Sequence, residues 1–198
     1  MICKLSPSAP RLILFAGHAG TGKSTLAKRA LPLIIEKTGE DFFFLDKDTV
    51  YGAFSAHVME LTTHNANDRD SPFYLENLRD WEYRGLIEVA KENLLLGVNV
   101  ILVGPFSKEI QSGQMFDPLA LGIPPQTRIQ IAWIDLAENE AKRRMEKRAD
   151  SRDEWKLAHW DQYVGRRIDP PQHTAIKRFD NLHFDEELFN KLVDDLIK

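Results

Sequence analysis

Gly17-His18-Ala19-Gly20-Thr21-Gly22-Lys23-Ser24-Thr25 is the stretch on which the reading of this chain turns. It follows an apolar run, Leu12-Ile13-Leu14-Phe15-Ala16, and opens a helical pattern at Leu26, Ala27, Ala30 and Leu31. The glycines let the backbone turn tightly and aim its N–H groups at one point with no side chain in the way. Lys23 can reach the β- and γ-phosphates of a nucleotide as a point charge, and Ser24 offers a hydroxyl to Mg²⁺. The helix that starts here adds its positive N-terminal end to the same anion site. GxxxxGKS between strand and helix therefore reads as a P-loop for a nucleoside triphosphate, with Gly17 to Thr25 as its binding residues. The motif fixes nothing at His18, which is expected to be a solvent-facing spacer.

The rest of the chain sets bounds on what such a loop serves. A length of 198 residues suits one domain over 1–198, with an apolar fraction of 43% and a charged fraction of 28% typical of an ordinary globular protein. The net charge of -4 supplies no global basic field, which argues against nucleic acid as a partner. The one cysteine, Cys3, excludes an intramolecular disulfide and suits a reducing cytosol, where it reads as an inert terminal residue. No apolar run approaches the ~20 residues of a membrane span, and Pro7 and Pro10 interrupt any signal-peptide pattern. The expected location is the cytoplasm, with no membrane partner.

Further buried runs follow at Phe42 to Leu45, Val98 to Val103 and Arg128 to Ile134, and a short last strand is expected within 177–184. Helices are expected over Gly22 to Lys37, Thr49 to Leu61, Ser71-Pro72 to Gly97, Glu138 to Arg148, Arg152 to Val164 and around Leu188 to Leu196. In the long third helix Leu75, Leu78, Trp81, Leu86, Val89 and Leu96 form the expected core stripe. Alternation of this kind predicts an α/β fold with a parallel sheet and helices on both faces.

Two constellations lie outside the loop. Asp46 and Asp48 stand just past the second strand, where open α/β sheets deliver residues to a ligand crevice. One could help to hold Mg²⁺ and the other accept a hydrogen bond from an acceptor hydroxyl, or Asp48 could be the N-cap of the next helix. Downstream, Arg144, Arg148 and Arg152 are spaced four apart. On a continuous helix they share a face that could surround a transferring phosphoryl group, or else form a solvated surface with Glu138, Glu140 and Glu146 as partners. With a triphosphate expected nearby, segment 142–168 reads as a lid.

The loop, the Asp46-Lys47-Asp48 pair, the strand Ile129 to Ile134 and the arginine series together resemble the small P-loop kinases. These include shikimate kinase, gluconate kinase, chloramphenicol phosphotransferase and the zeta-toxin group, often grouped under an AAA-type ATPase label. The resemblance spans about residues 11 to 156 and implies a five-stranded parallel sheet of order 2-3-1-4-5, a P-loop NTPase fold with a helical lid, and ATP with Mg²⁺ as cofactors. It implies Lys23, Asp48, Arg148 and Arg152 as catalytic, Arg144 and Arg148 with the loop as nucleotide-binding, and Ser24 and Asp46 as the metal side. It also puts the segment near Asp180 and Asn181 close to the adenine. Many relatives end this third strand in an acidic residue that helps with Mg²⁺, whereas here Ile101-Leu102-Val103-Gly104-Pro105 offers none.

The leading expectation is ATP-dependent phosphoryl transfer to a hydroxyl of a small molecule. A nucleotide or polynucleotide 5′-hydroxyl kinase, and an ATP-binding regulatory module with little chemistry, are the alternatives. The acceptor pocket is expected from residues 49–75 and 104–125, whose Phe54, His57, His64, Phe73, Tyr74, Phe106, Met115 and Phe116 are individually better read as packing. Trp155 and Trp160 read equally as lid packing or ligand stacking.

Overall fold

The computed structural model describes residues 9–198, so Cys3 lies outside the described residues. Five strands form one parallel sheet: β1 (Arg11–Ala16), β2 (Phe42–Asp46), β3 (Asn99–Val103), β4 (Arg128–Asp135) and β5 (Ile176–Asp180), in the spatial order β2-β3-β1-β4-β5. Every residue of β1 and β3 is buried, because helices cover both faces of a parallel sheet. Alternate residues of β1 serve different layers. Leu12 and Leu14 pack with Leu86, Ala90 and Leu94 of α4 (Arg79–Leu95) on one face. Ile13 and Phe15 pack on the other with Leu26, Ala30 and Ile34 of α1 (Lys23–Thr38) and with Phe189 and Val193 of α10 (Glu186–Leu196).

The remaining helices are α2 (Lys47–Thr63), α3 (Pro72–Asn77), α5 (Ser107–Gln111), α6 (Pro118–Leu121), α7 (Glu138–Arg148), α8 (Glu154–Ala158) and α9 (Trp160–Val164). Among the described residues no helix is long and apolar enough to cross a membrane. Helix α1 runs on through Pro32 and ends where Gly39, in left-handed backbone, donates to the Ile35 carbonyl.

Three helix expectations need correction. The helix expected from Pro72 to Gly97 breaks at Leu78, which resets the phase: Glu82, Tyr83, Leu86, Ala90 and Leu94 face inward, while Trp81 is 67% exposed. The helix expected over Arg152 to Val164 is two short helices, broken at His159 and preceded by a 3₁₀ turn over Ser151–Asp153. Helix α7 ends at Arg148 with Ala149 in left-handed backbone (φ 49°), so Arg144, Arg148 and Arg152 do not share one continuous helix.

Because all five strands are parallel, their C-terminal ends reach one edge of the sheet. That edge carries Gly17 after β1, Asp46 at the end of β2, Gly104 after β3, and Asp135 and Asn181 at β4 and β5.

Candidate active site

The P-loop runs from Gly17 across this edge into α1. At Gly17 (φ 131°) a Cβ would lie 2.6 Å from the Ile134 carbonyl oxygen, so glycine alone lets the loop leave β1 against β4. Gly22 (φ 91°) caps α1 in left-handed backbone, its carbonyl accepting from Leu26 N–H at 3.0 Å. Thr21 is fully buried, and its hydroxyl donates to the His18 carbonyl at 3.0 Å. Asn181 Nδ2 donates to the Thr21 carbonyl at 2.8 Å, tying the segment after β5 to the loop.

His18 is not the solvent-facing spacer expected of it. The ring is 8% exposed, meets Trp133 edge to face at 5.4 Å, and sets Nε2 2.9 Å from the Ile168 carbonyl oxygen. Burial pulls its pKa from 6.5 down to about 4, with the bond to Ile168 opposing and Arg167 and Lys23 adding to the fall. The motif leaves this position open, and residues distant in the chain claim it.

A cavity of about 660 Å³ opens above the loop. It is lined by His18, Ala19, Gly20, Gly22, Lys23, Ser24 and Thr25, by Asp46 and Asp48, and by Arg148 and Arg152. Gly17, Thr21 and Arg144 do not line it. Arg144 instead donates to the Asn181 carbonyl at 2.7 Å and pairs with Glu140 at 2.9 Å.

Lys23 donates to the His18 carbonyl at 2.6 Å. Burial lowers its pKa from 10.5 to about 8; Asp48 and Asp46 oppose the fall, and Arg148 and Lys156 reinforce it. A group held this way gains from an arriving anion.

Asp46, not Asp48, is the N-cap of α2: its Oδ1 accepts from Asp48 N–H at 2.9 Å. The Asp48 carboxylate is thereby left for other partners. Its Oδ2 accepts from Arg152 Nη1 at 2.7 Å, and its Oδ1 lies 3.7 Å from Lys47 Nζ. Desolvation works to raise its pKa, but Lys47, Arg152, Lys23 and Lys156 outweigh it and hold the group below the usual carboxylate range. Lys47 is fixed in turn by buried Glu82 at 2.7 Å and by the Tyr74 hydroxyl at 3.2 Å. The same network drives the Tyr74 phenol far up in pKa, through burial first and then the Glu82 charge.

Segment 142–168 faces the loop across the cavity. Arg148 pairs with Asp153, which is 1% exposed, its Nε donating at 3.0 Å. Lys156 joins Asp70 at 2.6 Å, and Arg166 meets the same carboxylate at 3.3 Å. Tyr163 accepts from Ala19 N–H at 2.8 Å, and burial pushes its phenol up to about 12. Lys156, Tyr163, Arg166 and Arg167 all line the cavity. Lys156 closes the basic stretch that holds the arginine series, whereas Tyr163, Arg166 and Arg167 were not singled out by sequence pattern. Trp155 and Trp160 are not in the lining: Trp155 stacks on His159, and Trp160 donates to Glu138 at 3.0 Å.

The far half of the cavity uses Arg69, Tyr74, Leu75, Arg79, Ser107 and Lys108, among others. Of the aromatic and polar candidates expected there, only Tyr74 lines it. Phe106 and Met115 belong to the core, and Phe54 is 60% exposed on the outside of α2.

An AAA-domain family model matches residues 12–171, most of the chain. The chain belongs to that AAA-domain family. Comparison with curated proteins finds no match. Among solved structures, it is similar to Chaetomium thermophilum Kti12 in complex with ADP-AlF3, at 14% identity and a TM-score of 0.65 over 94% of this chain and 97% of that one. It is similar to Mycobacterium tuberculosis APS kinase CysC in complex with AMPPNP and APS, at 18% identity and 0.59 over 97% and 100%. A sugar kinase from Janibacter sp. gives 18% identity and 0.58 over 96% and 95%. At these identities the shared property is the fold, that of the P-loop NTPases, and it extends over nearly the whole of this AAA-domain chain.

The donors at hand suit a nucleotide with Mg²⁺. Ser24 lines the cavity at the first turn of α1, and buried Asp46 spends only Oδ1 on its cap, leaving a second carboxylate oxygen. Hydroxyl and carboxylate oxygens are the hard ligands Mg²⁺ takes, alongside waters and phosphate.

Proposed function

We propose that the protein is an ATP-dependent phosphotransferase that moves the γ-phosphoryl group to a hydroxyl of a small-molecule acceptor. The observation that carries this reading is Asp48: a carboxylate freed from helix capping, kept ionised by surrounding cations, and lining the same cavity as Lys23 and the P-loop.

In this reading the loop amides and Lys23 bind the phosphates. Asp48 takes the proton of the acceptor hydroxyl while its oxygen bonds to the γ-phosphorus and the bond to ADP breaks. Arg148 and Arg152, carried by a lid over 142–168, face the charge on the transferred group, where guanidinium forks meet phosphate oxygens. Arg144, on the Asn181 side, belongs to the nucleotide end. Ser24 and Asp46 would hold Mg²⁺, which neutralises phosphate charge when bound. The chemistry needs little beyond positioning and electrostatics, which is what this cavity offers.

The test is acceptor-stimulated ADP release across hydroxyl-bearing metabolites, antibiotics, nucleosides and nucleotide sugars. Asp48→Asn is expected to lower turnover by about 10²- to 10⁴-fold with nucleotide affinity retained, since it removes a base and no phosphate contact. Unchanged turnover in Asp48→Asn overturns the assignment of the base. Nucleotide binding with no acceptor-stimulated ADP release across the panel overturns the enzyme reading.

A further inference from the structure

Tyr163 lines the cavity with its hydroxyl proton unused. The residue is buried, 8% exposed, and its phenol oxygen accepts from the Ala19 N–H of the P-loop at 2.8 Å. Among the described residues the hydroxyl has no acceptor of its own. Asp70, whose charge acts on this phenol, is bonded instead to Lys156 at 2.6 Å and to Arg166 at 3.3 Å. Burial pushes the phenol up to about 12, so it keeps its proton and stands as an O–H donor. A buried donor without an acceptor is costly, and one on a cavity wall is satisfied by what fills the cavity.

The loop fixes where this donor stands. Tyr163 Oη and Lys23 Nζ hold the two edges of one peptide unit: the lysine donates to the His18 carbonyl at 2.6 Å, and the phenol accepts from the Ala19 N–H. With one planar peptide between them, the two side-chain tips are less than about 8 Å apart. A lysine at this place in the motif addresses the β- and γ-phosphates, which sets the phenol beside the terminal end of a triphosphate. The charged neighbours agree. Lys156, joined to the Tyr163 side of the cavity through Asp70, is among the cations that act on both Lys23 and Asp48. The phenol is also held in place. His18 Nε2 lies 2.9 Å from the Ile168 carbonyl oxygen, so the stretch 163–168 is anchored to the loop at both ends.

We propose that Tyr163 is a nucleotide-contacting residue whose phenol, held on the Ala19 amide, donates its hydroxyl hydrogen bond to an oxygen of the terminal phosphoryl group. This rests on the nucleotide half of the proposed function, and the acceptor plays no part in it. Hydrogen bonds to a charged oxygen are of the stronger kind, and this one adds direction where Lys23, Arg148 and Arg152 already supply charge. ADP lacks the terminal group, so the phenol distinguishes the triphosphate from the diphosphate.

The test titrates the full chain with AMPPNP and with ADP, Mg²⁺ present, in wild type and in Tyr163→Phe, which removes one oxygen and keeps the ring. Tyr163→Phe is expected to weaken AMPPNP binding about 10- to 100-fold and to leave ADP binding within about twofold. Tyr163→4-aminophenylalanine, which returns an N–H donor to the same ring, is expected to recover part of the loss. Melting of each protein without nucleotide separates a folding defect from lost recognition. Equal losses for the two nucleotides, or no loss for either, mark a residue that only shapes the loop and overturn the inference. Tighter AMPPNP binding in Tyr163→Phe marks a phenol that competes with phosphate for the Ala19 amide and overturns it as well, as does a wild type that binds neither nucleotide. A Tyr163-dependent preference for AMPPNP without acceptor-stimulated ADP release keeps the inference and removes the phosphotransferase reading.

Discussion

Lys23 offers a direct measurement of how the cavity manages charge. Its pKa of about 8 leaves the side chain half protonated at pH 8 in the protein alone. A bound triphosphate adds several negative charges beside it and favours the ammonium, so binding draws a proton from solution. The expected uptake is about half a proton at pH 8, falling toward zero below pH 7 where the group is already charged. The terminal phosphate of the nucleotide also exchanges a proton near this window, so the lysine's share is the uptake of the wild type less that of Lys23→Met. If only the charged lysine contributes to binding, affinity falls by up to about tenfold between pH 7 and 9, or about 1.4 kcal/mol. The loop amides bind at every pH, which makes tenfold a ceiling. Calorimetric titration with AMPPNP at pH 8, in buffers of different ionisation enthalpy, reads the net uptake, and Lys23→Met should lower it by about half a proton. The same net uptake in wild type and Lys23→Met, with affinity flat from pH 7 to 9, would refute the argument that burial has depressed this lysine.

Two further predictions concern the loop's supports. His18 has a folded pKa of about 4 against an ordinary 6.5, so the unfolded chain takes up a proton that the folded chain refuses between those values. Its contribution to stability is complete above about pH 6.5 and is lost as pH falls toward 4, amounting to about 3 kcal/mol. Urea unfolding at pH 7.5 and 4.5 measures the difference, and His18→Phe, which keeps a ring against Trp133, should shrink it by that amount. Gly22→Ala places a Cβ 2.7 Å from Asn181 Nδ2 at φ 91°, costing about 1–2 kcal/mol in backbone strain and about 1 more for the displaced bond to Thr21. A lower urea midpoint together with weakened nucleotide binding is expected, and an unchanged midpoint would show that the loop relaxes without cost.

The sheet was legible because a parallel sheet buried on both faces demands continuous apolar runs, and Leu12 to Ala16, Val100 to Val103 and Ile131 to Ile134 are of that kind. The P-loop was legible because its chemistry fixes residue types at fixed spacing. What escaped pattern reading depends on partners far along the chain. His18 is buried by Trp133 and Ile168, which nothing in the loop announces. The break at Leu78 carries no glycine or proline, and apolar spacing continues across it. It is tertiary contact, with Arg79 gripping Glu109 and lying over the Tyr83 ring at 3.9 Å, that accompanies the new phase. Arg69 fell in a polar stretch whose neighbours have turn chemistry.

The division of labour between Asp46 and Asp48 shows how little separates two chemical assignments. From sequence, Asp48 could cap the helix that follows β2, because its side chain would reach the first free amides of a helix over Thr49 to Leu61. Helix α2 begins at Lys47, two residues earlier than its apolar pattern suggests, and this gives the cap to Asp46. Had it begun at Thr49, one oxygen of the Asp48 carboxylate would have been spent on a backbone amide. The same register bears on the acid missing after β3. Asp46 pairs directly with Val103 in the sheet, so its backbone stands one strand spacing, about 4.8 Å, from the end of β3. With Oδ1 held on the Asp48 amide, the remaining oxygen is fixed in direction as well as position. A single early helix start therefore supports both proposed roles, a carboxylate for the metal beside β3 and a carboxylate for the acceptor one residue beyond Lys47.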